Sequence, residues 1–130
     1  MKIADKESLS ICAIILAAGE SKRFGPDNKL LAEVDGVAML ESVVKVIQAG
    51  GVKKTLVVTG ADHDAIVSLL SGYDVEFVRN ECWEDGMGTS LAVGVASVDP
   101  ACVSGMLVCL GDLPRMTKET VVSILNAFQN

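Results

Sequence analysis

The chain has 130 residues, half of them apolar, enough for one domain with a real core and too many for a disordered chain. Its net charge of −6 excludes a general affinity for nucleic acid or an anionic membrane surface. The four cysteines, Cys12, Cys82, Cys102 and Cys109, form no Cys-x-x-Cys pair, and His63 stands alone, so a zinc site of closely spaced ligands is disfavoured. The start, Met1 to Ser10, is polar, lacks the apolar core of a signal peptide and reads as a loose end. No apolar run is long enough to span a bilayer, and a reducing cytoplasm is the expected location.

In chain order, Ile11–Leu16 is an unbroken apolar run and reads as a buried strand. Leu40, Val43, Val44 and Ile47 follow helical spacing, and Gly50-Gly51 stops that helix. Thr55–Thr59 is a β-branched strand ending at Gly60. Asp62 can cap a short helix that carries Ile66, Leu69 and Leu70. Val75–Val78 is another strand. Gly86–Ser97 reads as a helix with a small-residue face of Ser90, Gly94 and Ser97. Met106–Leu110 is a buried strand, and Thr117 can cap a last helix with Val121, Ile124, Leu125 and Phe128 on one face. This alternation predicts an α/β domain over residues 11–130, with a mostly parallel sheet between helices.

Open sheets of this kind bind ligands beyond the carboxyl ends of their strands. Three features fall there. The first is the small-residue turn Leu16-Ala17-Ala18-Gly19, which continues through Glu20, Ser21, Lys22, Arg23 and Phe24 to Lys29. Its small residues admit a ligand to the backbone, whose N–H groups can cradle phosphates. Arg23 can grip a phosphate with two donors, and Lys29 adds a mobile charge. The second is Asn80 to Gly88, where Asn80 can read a base edge or ribose or simply shape the loop. There Gly86-Met87-Gly88-Thr89-Ser90 opens a helix whose N-terminus favours anions. Trp83 can stack on a base, act as a lid or pack. The third is Gly111-Asp112, where a carboxylate can hold Mg²⁺ or serve as a cap. No glycine stands at Leu91 to complete a dinucleotide fingerprint, and there is no G-x-x-x-x-G-K-[ST] loop. His63, flanked by two aspartates, reads as solvated. Nothing resembles a Ser/His/Asp or Cys/His set, so the chemistry would be electrostatic.

The run Leu16-Ala17-Ala18-Gly19-x-Ser21-x-Arg23-Phe24-Gly25-x-x-Asn28-Lys29-Leu30-Leu31 resembles the signature loop of MobA-like nucleotidyltransferases, and most of all that of the molybdenum cofactor cytidylyltransferases. Gly86-Met87-Gly88-Thr89-Ser90-Leu91-x-x-Gly94 resembles their second motif, and Leu110-Gly111-Asp112-Leu113-Pro114 their metal-binding motif. The resemblance implies a three-layer α/β/α sandwich with a Rossmann-like sheet of the nucleotide-diphospho-sugar transferase type. It implies Mg²⁺-dependent transfer of CMP from CTP to molybdopterin, with release of pyrophosphate, for use by molybdenum hydroxylases. Arg23 and Lys29 match the catalytic cations and Asp112 the metal ligand. Leu16, Ala17, Ala18, Gly19, Ser21, Lys29, Asn80, Gly88 and Ser90 fall at nucleotide-binding positions. Ala18, where guanylyltransferases have glycine, favours cytosine. Asn28, in place of proline before the lysine, disfavours the sugar-nucleotide enzymes.

Family members run longer than this chain, so the implied domain lacks its C-terminal part. A guanylyltransferase, a transferase acting on another phosphorylated small molecule, and a non-catalytic nucleotide-binding module remain as alternatives. If Lys29 neutralises the triphosphate and Lys22 is only solvated, Lys29→Ala lowers kcat/KM far more than Lys22→Ala. Equal effects in steady-state kinetics would break that assignment of the loop.

Overall fold

A computed structural model describes residues 10–18, 33–34, 37–111 and 117–129. Its central strand, β1 (Ile11–Ala17), is apolar throughout and buried on both faces, as expected of an interior strand in a parallel sheet. Two short strands, β2 (Glu33–Val34) and β3 (Val37–Ala38), pair antiparallel as a separate hairpin. Helix α1 (Met39–Ala49) buries Leu40, Val43, Val44 and Ile47. There follow β4 (Lys54–Thr59), α2 (His63–Leu69) and β5 (Glu76–Arg79). A 3₁₀ turn at Trp83–Asp85 leads into α3 (Met87–Ala96), and β6 (Gly105–Leu110) and α4 (Lys118–Gln129) complete the order. No helix among the described residues is long and apolar enough to cross a membrane.

The main sheet runs β5-β4-β1-β6 with all neighbours parallel. Side chains alternate across it. Ile11, Ala13, Ile15 and Ala17 face a core closed by α1, α2 and α4. Cys12, Ile14 and Ala18 face the opposite core with Leu56, Val58 and Val98, against which Val93 and Trp83 pack. The result is a three-layer α/β/α arrangement.

Gly94 sets how closely α3 approaches. A Cβ there would lie 2.8 Å from Ile14 Cγ2 and 3.0 Å from Val58 Cγ2. On the other face, Val121 of α4 occupies the space that a side chain at Gly50 would fill. Helix α3 therefore rests on β1 and β4. Edge strand β6 keeps Val108 and Leu110 exposed, and α3 leaves Met87, Leu91 and Val95 exposed.

The four long strands and four helices stand where the sequence places them, with local differences. The β2–β3 hairpin was not anticipated, because two-residue strands carry no readable period. Val75 precedes β5 and packs on the core instead of opening the strand. Asp62 occupies the cap position of α2 without a side-chain capping bond. In α4, Val121 and Leu125 are buried, but Ile124 and Phe128 are 44% and 52% exposed. That helix lies at the margin of the sheet, where the Phe128 ring covers Gly105 at the start of β6.

Overpacking a tight helix–sheet contact is destabilising by about 1–3 kcal/mol. Gly94→Val is expected to lower the unfolding free energy by that amount in urea titration. Gly72→Ala, at a position with no neighbour within 4 Å, should stay within about 0.5 kcal/mol of the parent.

Candidate functional site

The chain leaves β1 toward β4 on one side and returns to β6 on the other. Connections therefore diverge at the carboxyl ends of β1 and β6, and a crevice forms at such a switch point. Backbone bonds tie this edge together. The Gly111 N–H donates to Leu16 O (3.1 Å), the Ala61 N–H to Ala18 O (3.0 Å) and the Asn80 N–H to Thr59 O (2.6 Å). Gly60 is needed for closeness, since a Cβ there would lie 2.6 Å from Ala18 O and 2.8 Å from Trp83 Cβ.

Beside this edge lies a cavity of about 320 Å³ lined by Leu16, Ala18, Trp83, Glu84, Gly86, Met87 and Ser90. Gly86 has φ +116°, a conformation that glycine adopts freely and other residues rarely do. It turns the chain from the Trp83 turn into α3. A Cβ at Gly86 or Gly88 would meet nothing within 4 Å. Packing therefore does not demand glycine at Gly88, and the first turn of α3 stays open to an approaching molecule.

Asn80 sits behind this turn, 1% exposed. Its Nδ2 donates to Thr89 Oγ1 and to Ser90 Oγ, each at 2.9 Å. Its Oδ1 accepts from the Cys82 N–H at 2.9 Å. Thr89 Oγ1 in turn lies 2.7 Å from Gly86 O and 3.0 Å from Cys82 O. One amide thus joins the end of β5, the 3₁₀ turn and the start of α3.

The expected site residues divide accordingly. Leu16, Ala18 and Ser90 line the cavity, and Gly88 lies in the adjoining helical turn. Ala17 points to the opposite core. Asn80 is buried, with both amide hydrogens engaged inside the protein. Gly19, Ser21, Arg23, Lys29 and Asp112 lie outside the described residues, as does Met1 to Leu9 of the expected loose end. Among the choices left open for Trp83, packing and cavity wall are the roles it fills here. Glu84, Gly86 and Met87 border the cavity without having been singled out as contacts. The readable signal was the glycine-bounded stretch Gly86-Met87-Gly88 that follows a strand and opens a helix. His63 is not merely solvated: its Nδ1 lies 2.6 Å from the buried Thr59 Oγ1.

Charge at the cavity is acidic. Among its described lining residues Glu84 is the sole ionisable group. The N-terminus of α3 carries a partial positive charge of roughly half a unit, which does not offset a carboxylate and a polyphosphate together. Cations for an anionic ligand must come from elsewhere. A larger groove of about 450 Å³ opens at the other end of the sheet, near Gln48, Val52, Lys53, Lys54, Thr55, Asp74 and Glu76. Within it Lys54 Nζ lies 3.3 Å from Glu76 Oε1, and the Gln48 amide donates to the backbone carbonyl of Asp74. It lacks the open helix start that marks the smaller cavity.

Thiol chemistry finds little support at Cys12, Cys102 and Cys109. Burial raises the Cys109 thiol pKa, and burial, partly offset by Lys54, raises that of Cys12. The hydrogen bond to Asp99, reinforced by its charge, raises that of Cys102. A raised pKa means less thiolate, the reactive form, at neutral pH.

Comparison with known proteins converges on one fold. The chain is 28% identical over 123 residues to nicotine blue oxidoreductase of Paenarthrobacter nicotinovorans, covering 95% of this chain and 59% of that protein. A solved nucleotidyl transferase from Methanothermobacter superposes with a TM-score of 0.79 at 31% identity, over 90% of this chain and 57% of its own. The manganese complex of Rv0371c from Mycobacterium tuberculosis superposes at 0.75 with 24% identity, over 91% and 59%. This chain thus spans about six-tenths of the length of those proteins. The family model for the MobA-like NTP transferase domain matches residues 13–130, and the chain belongs to that family.

Proposed function

We propose that this chain is the nucleotide-binding part of a nucleotidyltransferase that moves CMP from CTP to a molybdopterin-type acceptor and releases pyrophosphate. The observation that carries the reading is the cavity at the β1–β6 switch point, walled by Leu16 and Ala18 and faced by the open first turn of α3. The family match and the solved nucleotidyl transferase support the reaction class.

In this reading Leu16, Ala17, Ala18, Gly19 and Ser21 form the loop that receives the triphosphate, and Arg23 and Lys29 supply the cations the described cavity lacks. Gly88 and Ser90 offer a backbone approach and a hydroxyl from α3, with Asn80 behind them. An acceptor phosphate oxygen forms a bond to the α-phosphorus as the bond to pyrophosphate breaks. Positioning and charge neutralisation supply the rate enhancement, with no covalent enzyme intermediate. Gly111 is buried and fixed to β1, so the chain enters Asp112 from the carboxyl edge of the sheet. The carboxylate of Asp112 is a hard oxygen donor suited to a hard divalent cation. A Mg²⁺ held there would neutralise polyphosphate charge, and the manganese bound by the mycobacterial structure supports divalent-metal use. Cytidine is favoured by Ala18. Molybdenum hydroxylases are the proposed users of the product, in the cytoplasm.

The similarity to a protein named as an oxidoreductase favours a second reading, in which the same fold serves redox chemistry. Calorimetric titration with CTP, GTP, ATP and UTP, each with Mg²⁺, separates the readings. Preference for CTP is expected. Preference for GTP moves the chain to guanylyl transfer, and failure of a folded sample to bind any of them defeats the nucleotide site. Where turnover is observed, Asp112→Ala should abolish pyrophosphate release while the melting temperature stays within a few degrees of the parent. Near-normal release would refute the metal role.

A further inference from the structure

We infer that Asn80 is a positioning residue that sets the hydrogen-bond sense of Ser90, so that the Ser90 hydroxyl donates into the cavity toward an oxygen acceptor on the ligand. The inference deepens the proposed nucleotide site and rests on it. The orientation of the Asn80 amide is decided by its neighbours. Cys82 presents a backbone N–H, which can only donate, so the amide oxygen must face it. The NH₂ group then faces Thr89 and Ser90. An NH₂ group only donates, so both hydroxyl oxygens accept from it and each keeps its own hydrogen to give elsewhere.

Thr89 directs its hydrogen back to the carbonyls of Gly86 or Cys82, at 2.7 and 3.0 Å. Ser90 has no other hydrogen-bond partner among the described residues, and it lines the cavity. Its hydroxyl hydrogen is the donor left over once the Asn80 bonds are counted. Asn80 never touches the ligand in this arrangement. It holds the donor outward, and it anchors the turn from which α3 starts. An aspartate at position 80 would keep the bond to Cys82 but replace two donors by an acceptor. The Ser90 hydrogen would then turn inward, away from the ligand.

The test is a double-mutant cycle on the full chain with Mg²⁺-CTP as probe. Binding is read from the fluorescence of Trp83, the one tryptophan of the chain. Asn80→Asp and Ser90→Ala are each expected to weaken binding about tenfold. The double variant should be no weaker than either single one, because both remove the same donor. Multiplication of the two effects to about a hundredfold would mean that Asn80 meets the ligand itself, and would overturn the inference. If Asn80→Asp does not fold, Asn80→Ala enters the same cycle. The urea midpoint of the nucleotide-free variants supplies an independent readout: additive midpoint shifts for positions 80 and 90 also overturn the inference. A parent chain that binds no triphosphate yet shows coupled midpoints condemns the nucleotide reading and with it the ligand-facing role of Ser90. Additive midpoints with normal binding condemn the role of Asn80 alone.

Discussion

Everything at the carboxyl edge hangs from β1. Residues Cys12–Ala17 pair with Lys54–Thr59 on one side, and Ile11–Leu16 pair with Gly105–Leu110 on the other. Because both faces of β1 are apolar, hydrophobicity alone does not fix its register. A one-residue slip would exchange one apolar face for the other. Shape fixes it: Ile14 must lie under Gly94, where α3 has no side chain to clash. Once β1 is seated, Leu16 receives Gly111 and Ala18 receives Ala61. Three loop origins are thereby held within one crevice.

The fold was legible because each long element announces its own period. The apolar run of β1, the β-branched run of β4 and the spacing of Leu40, Val43, Val44 and Ile47 each had one consistent solution. What escaped was governed by neighbours distant in sequence. The hairpin at Glu33–Val34 and Val37–Ala38 has too few residues for a pattern. The four apolar positions of α4 obey helical spacing, yet the sheet ends beneath them. Val121 and Leu125 find α1 and the core, while Ile124 and Phe128 overhang the margin.

The site was legible in outline and opaque in its wiring. Glycines around a helix start, placed after a strand, pointed to the mouth of the sheet, and the cavity lies there. The role of Asn80 could not be read from the sequence, because an asparagine past a strand serves a ligand or a loop equally well. Its partners, Thr89 and Ser90, are nine and ten residues away. Only the fold shows that its amide is spent on them. Trp83 was ambiguous for the same reason: its position against Gly60 and the end of β1 depends on three separate segments.

The acidic character of the protein sharpens the division of labour at this site. A net charge of −6 and a carboxylate at the cavity rim repel a polyphosphate. The described walls therefore suit the neutral part of a nucleotide, its base and sugar, better than its phosphates. Trp83 and Met87 offer apolar surface, and Ser90 a directed donor. In the proposed reading, phosphate binding falls to Arg23, Lys29 and a cation at Asp112, which lie in the stretches of sequence that follow β1 and β6. This chain is similar both to a protein named as an oxidoreductase and to one named as a nucleotidyl transferase, so the shared fold does not by itself decide the chemistry.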